Sequence, residues 1–220
     1  MRRIVFPPVE AASEDGLVAA GGDLEIDTLR EAYRNGIFPW PISVDLPLAW
    51  FSPDPRGVLF TDDLHLPKSF LKFLKKCDYK VTFNQAFPEV IRSCAFAYRK
   101  NQPSTWITPD IIKGYENLFL NKEAYSVEVW NQENELIGGI YGVCMGEFVS
   151  GESMFSKEIN ASKIGLYELM KHLKLKGIKF LDTQMVTSVV ESFGGVYLDR
   201  PDFLELIKKL DWTTQRDEIF

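Results

Sequence analysis

Between residues 124 and 151 the chain reads AYSVEVWN, then ELIGGIYGVCM, then EFVSG, with turn-formers at NQEN and MGE. Apolar runs of this length, rich in β-branched and aromatic residues and parted by such turns, read as consecutive antiparallel strands. Next comes the strongest helix signal in the chain, NASKIGLYELMKHLKLKG. Its Leu166, Leu169, Met170 and Leu173 recur at i, i+3, i+4 and i+7 and mark a buried face. Asn160 stands at the N-cap position and Gly177 where the helix must end. IKFLDTQM then reads as a further strand. A meander, a crossover helix and a returning strand define an α+β class with a mixed, mostly antiparallel sheet.

Other signals surround this core. RGVLF and YKVTF read as strands, and LPKSFLKFLKKC as a helix with Pro67 in its first turn. QAFPEVIRSCAFAYRK is helical after Pro88, and TPDIIKGYENLFL is a helix capped by Thr108. A short helix ending at Gly194 and Gly195 and a last helix in RPDFLELIKKL follow. The stretch up to Pro55 differs, being rich in Gly and Pro. It holds one helix signal, IDTLREAYRNG, with Asp27 as cap and Gly36 beyond its end. IFPWPISVDLPLAWFSPDPRG carries too much proline for regular structure. Its Phe38, Trp40, Trp50 and Phe51 need something to pack on. The expected organisation is a small N-terminal lobe, residues 1–55, laid against a main domain, residues 56–220.

Charge and cysteine content narrow the function. The formal net charge of −6 gives no global basic field for nucleic acid, so any RNA contact must be local. Three scattered cysteines match neither a metal spacing nor a disulfide framework and fit a reducing, cytoplasmic setting. No apolar run approaches the roughly 20 residues that span a bilayer, so no membrane partner is expected. The apolar part of MRRIVFPPVE is too short for a signal peptide, and two prolines follow it.

Ser153 in GESMF invites a nucleophile reading, but the second glycine of a nucleophile elbow is replaced by Phe155. Of the two histidines, His172 lies among lysines of the long helix and His65 beside a helix start, so no base is evident. No metal-ligand cluster and no phosphate-binding glycine loop is present in the sequence. A carboxylate–amide pair remains. Asp182 and Gln184 stand two apart on an otherwise apolar strand, and a period of two puts both on one face. Asp182 either ends and caps the strand, or is a carboxylate that orients an amide or holds an amine. Glu152 sits in a glycine-flanked turn and by itself reads as a surface residue. Lys68, Lys72, Lys75 and Lys76 form one helix stripe, continued by Lys80. That stripe is either a solvated face or a phosphate-contacting patch.

The ordered segments GLVAAGGDL, AYRNGIFPW, WFSPDPRGVL, TWIT, SVEVW, LIGGIYGV, SGESMFS, NASK and LDTQ span nearly the whole chain. In them the sequence resembles the bacterial leucyl/phenylalanyl-tRNA–protein transferases. The resemblance implies transfer of leucine or phenylalanine, with methionine as a further donor, from aminoacyl-tRNA to proteins beginning with arginine or lysine. Such products carry a destabilising N-terminal residue and enter the N-end-rule degradation route. It also implies a small N-terminal domain and a GNAT-like C-terminal domain. A monomer is expected because the single-copy lobes offer no self-complementary surface, and neither cofactor nor metal is expected. By position, Asp182 and Gln184 match the pair that orients the attacking amine, and Glu152 a glutamate near the acceptor site. Ile140, Val149, Met154, Leu166, Leu169 and Leu181 match the donor side-chain pocket. Trp106 matches the tryptophan at the terminal adenosine, and Tyr33 and Trp40 match aromatics close by. Lys68, Lys72, Lys75, Lys76 and Lys80 correspond to a basic tRNA-contacting region. Tyr125, Val189 and Thr183 stand where the family more often has histidine, histidine and cysteine.

Two other readings use the same residues. One is a GNAT-like acyltransferase with an acyl-CoA donor, although SMFSKEINASKIG stands where a pyrophosphate loop belongs. The other is a non-catalytic tRNA- or degron-binding module, which retention of Glu152, Asp182 and Gln184 disfavours.

Overall fold

The computed structural model describes residues 5–43, 45–97 and 105–220. The first four residues and the end of the predicted third helix, 98–100, lie outside these.

The N-terminal part has more regular structure than its prolines predict. Strands β1 (Leu17–Ala20), β2 (Phe38–Pro39) and β3 (Ala49–Phe51) form a small antiparallel sheet in the order β1-β3-β2. Pro39 is tolerated because β2 is an edge strand, where a missing N–H costs no ladder bond. Helix α1 (Ile26–Arg34) lies between β1 and β2 in sequence. Asp27 does not cap it; its carboxylate accepts from Arg30 at 2.8 Å, and Glu25 holds the N-cap position. Asp23 takes the local capping role, accepting from Thr28 Oγ1 and Glu25 N. Arg30 also forks onto Glu123 at 2.8 and 3.0 Å.

The larger body begins with β4 (Arg56–Phe60), α2 (Lys68–Leu74), β5 (Lys80–Phe83), α3 (Phe87–Phe96) and α4 (Pro109–Leu120). Thr108 caps α4 as expected, accepting from Ile111 N. The meander follows as β6 (Ala124–Trp130), β7 (Leu136–Met145) and β8 (Phe148–Val149). The ten-residue β7 is long enough to serve two neighbours besides β6. Its second half pairs with β8, and its first half with β9 (Ser153–Ser156). Strand β9 is therefore where the sequence indicated a turn, and Ser153 lies in a ladder opposite Tyr141.

Helix α5 (Ala161–Leu175) packs across β6 and β7 with Leu166, Leu169, Met170 and Leu173 all buried, as the periodicity predicts. Close approach depends on Gly138, where a Cβ would stand 2.6 Å from that of Ala161. Asn160 occupies the N-cap position but its side chain does not cap. It has a left-handed backbone, φ 62°, and Ser156 Oγ accepts from Ser162 N instead, at 3.2 Å. The remaining elements are β10 (Phe180–Gln184), α6 (Ser188–Ser192), β11 (Val196–Leu198), α7 (Arg200–Ile207) and α8 (Arg216–Ile219). Strand β11 and helix α8 have no counterpart in the sequence reading, which ended on α7.

Two sheets make up the body: β5-β6-β7-β8 with β9 added on β7, and β10-β4-β11. Every named ladder is antiparallel, and one parallel bridge between Ser150 and Asp182 joins the two sheets. That bridge, with Gly151 N donating to Asp182 O at 2.8 Å, brings the segment before β9 beside β10. No helix among the described residues is long and apolar enough to cross a membrane.

Candidate active site

A cleft of about 640 Å³ opens between β7, β9, α5, β10 and α6. Ile140, Met154, Leu166 and Leu181 form its apolar wall, completed by Val189 and Val190 of α6. Trp40 and Trp106 stand on its rim and stack on each other, ring centroids 5.5 Å apart at 25°. Glu152 and Gln184 provide the polar end.

Glu152 follows the sheet-joining bridge, its N–H bound to Tyr141 O at 2.9 Å. Its carboxylate gathers donors from three elements. Ser150 Oγ donates to Oε1 at 2.6 Å, and Tyr115 of α4 reaches Oε2 at 3.3 Å. Tyr33 of α1 shares a hydrogen bond with Tyr115, oxygen to oxygen 2.5 Å. Burial pushes Glu152 up to about 7; its bonds to Ser150 and Tyr33 oppose this, Asp182 adds to it, and Arg56 opposes it. Tyr33 and Tyr115 are held well above the usual tyrosine range, first by burial and then by the Glu152 charge, so both remain donors near neutral pH.

The Gln184 amide has two ways to bond. With Nε2 toward Glu152 it donates to Oε1 at 3.3 Å. Turned over, its nitrogen donates to Gly151 O and Thr183 O, both at 3.0 Å, and its oxygen faces the carboxyl. The first suits an ionised Glu152 and the second a protonated one that can donate. With the Glu152 carboxyl pushed up to about 7, both orientations are open to the amide near neutral pH.

Asp182 does not share the cleft with Gln184. The ladder to β4 shifts register between them, and Gln184 has φ 55°, so strict alternation breaks down. Asp182 is wholly buried behind the cleft in a two-pronged ion pair with Arg56, 2.8 and 2.7 Å. Its Oδ1 also accepts from Gln184 N at 3.1 Å.

The structure thus brings together eight of the sequence-marked residues on one cleft: Trp40, Trp106, Ile140, Glu152, Met154, Leu166, Leu181 and Gln184. Val149 and Leu169 are fully buried in the core and do not line it. Tyr33 is also fully buried and does not line the cleft; it stands behind Glu152, bonded to Tyr115. Lys68, Lys72, Lys75, Lys76 and Lys80 are all exposed, the first two on α2, the next two just after it and the last opening β5. Phe70, inward on α2, meets Tyr167 of α5 and Phe193 just after α6. His172 lies off the cleft and is not a solvated group: its ring stacks on Phe220, and Nε2 lies 2.5 Å from Ile219 O.

Arg56, Tyr115 and Ser150 escaped the sequence reading. Arg56 had a visible signal, a charge opening the apolar run RGVLF, the mirror image of Asp182 in FLDTQ. Tyr115 follows the buried Ile111 by one helical turn and reads as core. Among the positions that depart from the family pattern, Tyr125 is buried and donates to Ser150 O at 2.9 Å, whereas Thr183 and Val189 line the cleft. No group of three or more metal-ligating side chains occurs among the described residues.

The cleft thus combines an apolar wall, a carboxyl and an amide, and a stacked aromatic pair. Two family models match the chain. The one described as leucyl/phenylalanyl-tRNA protein transferase covers residues 58–208, and that of the family's N-terminal domain covers residues 22–54. Curated relatives named leucyl/phenylalanyl-tRNA–protein transferase are 47% identical in Pseudomonas fluorescens, over 94% of this chain and 91% of that protein. A relative of the same name in Flavobacterium johnsoniae is 45% identical, over 93% and 96%. The solved structure of L-PGS from Bacillus licheniformis aligns with 86% of this chain and 71% of that one, at 11% identity and a TM-score of 0.46. The protein is an aminoacyltransferase. It belongs to the leucyl/phenylalanyl-tRNA protein transferase family.

Proposed function

We propose that the protein transfers leucine or phenylalanine, and also methionine, from aminoacyl-tRNA to the N-terminal arginine or lysine of acceptor proteins. The acceptor amine attacks the ester carbonyl, a peptide bond forms, and the 3′- or 2′-oxygen of the terminal adenosine leaves as a hydroxyl. The observation that carries this reading is the cleft itself, whose lining combines an apolar wall with Glu152, Gln184 and the Trp40–Trp106 pair.

The donor ester is already activated, so the chain has to provide mainly placement, for which effective molarities of about 10⁵–10⁸ M are available. The donor side chain occupies the apolar wall, where pliable Met154 accommodates straight and flat groups. The adenine adds to the tryptophan pair, a contact worth about 1–3 kcal/mol per base. Glu152, titrating at about 7, faces an amine of pKa about 8. Its anion attracts the acceptor amine, takes a proton from it as it attacks and passes that proton to the departing adenosine oxygen, while Gln184 orients the amine. Asp182 acts from behind, without touching substrate.

The exposed lysines from Lys68 to Lys80 hold the tRNA by its phosphates, without reading sequence. A functional division near residue 55 agrees with a small sheet complete by Phe51 and with β4 joining the body. The enzyme works as a monomer in the cytoplasm, on a GNAT-like main domain.

The test supplies Arg- and Lys-starting peptides with Leu-, Phe-, Met- and Asp-tRNA and detects the extended product by mass. Transfer from the first three and not from Asp-tRNA is expected; no transfer from any donor overturns the reading. Gln184→Ala with retained tRNA binding and unchanged transfer would remove Gln184 from the mechanism.

A further inference from the structure

We propose that Arg56 is a positioning residue for the transfer: by fixing Asp182 it holds the turn at Gln184 that aims the amide into the cleft. The inference rests on the transfer reaction proposed above and concerns the same site.

Arg56 opens β4 and is wholly buried. Each nitrogen of its guanidinium has one assignment. Nε and Nη2 fork onto the two oxygens of Asp182, at 2.8 and 2.7 Å, and Nη1 donates to Gly36 O at 2.8 Å. The plane lies between the rings of Phe38 and Phe203, 4.8 and 4.6 Å from their centroids. Such a cradle fixes the fork in direction as well as place. Asp182, bound on both oxygens, has no freedom to turn, and Oδ1 is presented to Gln184 N at 3.1 Å.

That last bond lies inside an irregular turn. Gln184 adopts φ 55°, a region non-glycine residues rarely enter, at the point where the β4–β10 register shifts. The turn also presses on β4. Gly57 pairs with Gln184, and a Cβ there would meet the Met185 backbone at 2.5 to 2.8 Å. Arg56 and Gly57 are adjacent in sequence and act on the same turn, one through Asp182 and one by leaving room for it.

Stability alone does not call for this pair. A buried ion pair roughly breaks even against well-packed apolar residues of similar size. A lysine could balance the charge, but it has no rigid fork and cannot hold both oxygens in one plane. The arrangement is explained by aim.

The full-length protein is tested as Arg56→Lys and as the apolar double variant Arg56→Met with Asp182→Leu. Transfer of phenylalanine from Phe-tRNA to an Arg-starting peptide is measured alongside thermal melting. The double variant is expected to melt close to the parent while kcat falls about 100-fold, as misplacement of a site on this scale does. Arg56→Lys is expected to lose about tenfold in kcat. In both, KM for Phe-tRNA stays within about threefold, because the donor pocket and aromatic rim are untouched. If the double variant does not fold, Arg56→Lys, which keeps the buried charge, decides. A folded variant with parental kcat overturns the proposal, as does a rise in donor KM with kcat unchanged. Either result in an active parent leaves the transfer reaction standing. A parent that extends no peptide from any Leu, Phe or Met donor refutes the reaction instead.

Discussion

The two ends of the cleft are built by different means. The apolar wall is the edge of the core: Ile140, Leu166 and Leu181 are almost fully covered and show only a margin to the cleft. Its shape follows from packing, and no residue in it needs a particular partner. The polar end is the reverse. Glu152 and Gln184 reach the cleft with a few atoms, while Ser150, Tyr115, Tyr33, Asp182 and Arg56 stand buried behind them, each with a named bond. A pocket for a side chain comes at little cost from a good core, whereas aiming a carboxyl and an amide takes more residues behind the surface than on it.

The sharpest way to break this contrast is to remove one buried charge. Asp182→Ala leaves Arg56 unpaired and should cost about 3–5 kcal/mol of stability, read by urea denaturation; a parental midpoint would mean the pair is not what holds β10. Next is Glu152→Gln. The carboxyl is raised in the folded state from its ordinary 4.5 to about 7, so its contribution is full below the unfolded value and is lost as pH rises through 7. The loss is about 3 kcal/mol. Glu152→Gln should therefore gain stability over the parent between about pH 4.5 and 7 and keep a constant advantage above. A pH-independent difference would place Glu152 in solvent.

Met154→Ala addresses the other end. It should lower kcat/KM for Phe and Leu donors by about 1–3 kcal/mol and leave the pH profile unmoved. Tyr115→Phe should do the opposite, moving the acidic limb of that profile upward by about half a unit with the ratio of Phe to Leu transfer unchanged. Tyr33→Phe, which removes another donor that favours the Glu152 anion, should move it in the same direction. If both ends respond in both assays, they are one unit and the contrast fails. Least of all, each of Lys72→Ala and Lys76→Ala should reduce the salt slope of tRNA binding by about 1 and alter neither readout.

What could be read in the sequence follows the same division. Meander, crossover helix and strand FLDTQ were legible because period and turn residues are local signals. Glu152, Met154 and Gln184 line one cleft; residue type alone singled out Gln184 with Asp182, whereas Glu152 and Met154 were marked only through the family resemblance. Val149 and Leu169 were misplaced onto its wall, since an apolar residue reads the same whether it faces a core or a pocket. The shared face expected of Asp182 and Gln184 failed because a register shift is set by the neighbouring strand, at Gly57, not by the strand itself. Strand β9 was hidden for a like reason, since SMF forms a strand only because β7 is long enough to receive it.

The cradle of Arg56 also orders events in time. Its parts are Gly36, Phe38, Asp182 and Phe203, and the ribosome delivers the first two long before the last two. A growing chain can build the N-terminal sheet and the meander, but Arg56 has no counter-ion until β10 arrives, and Gln184 has no fixed direction until Arg56 is seated. On the positioning role proposed for Arg56, competence for transfer is conferred only once β10 and α7 are in place.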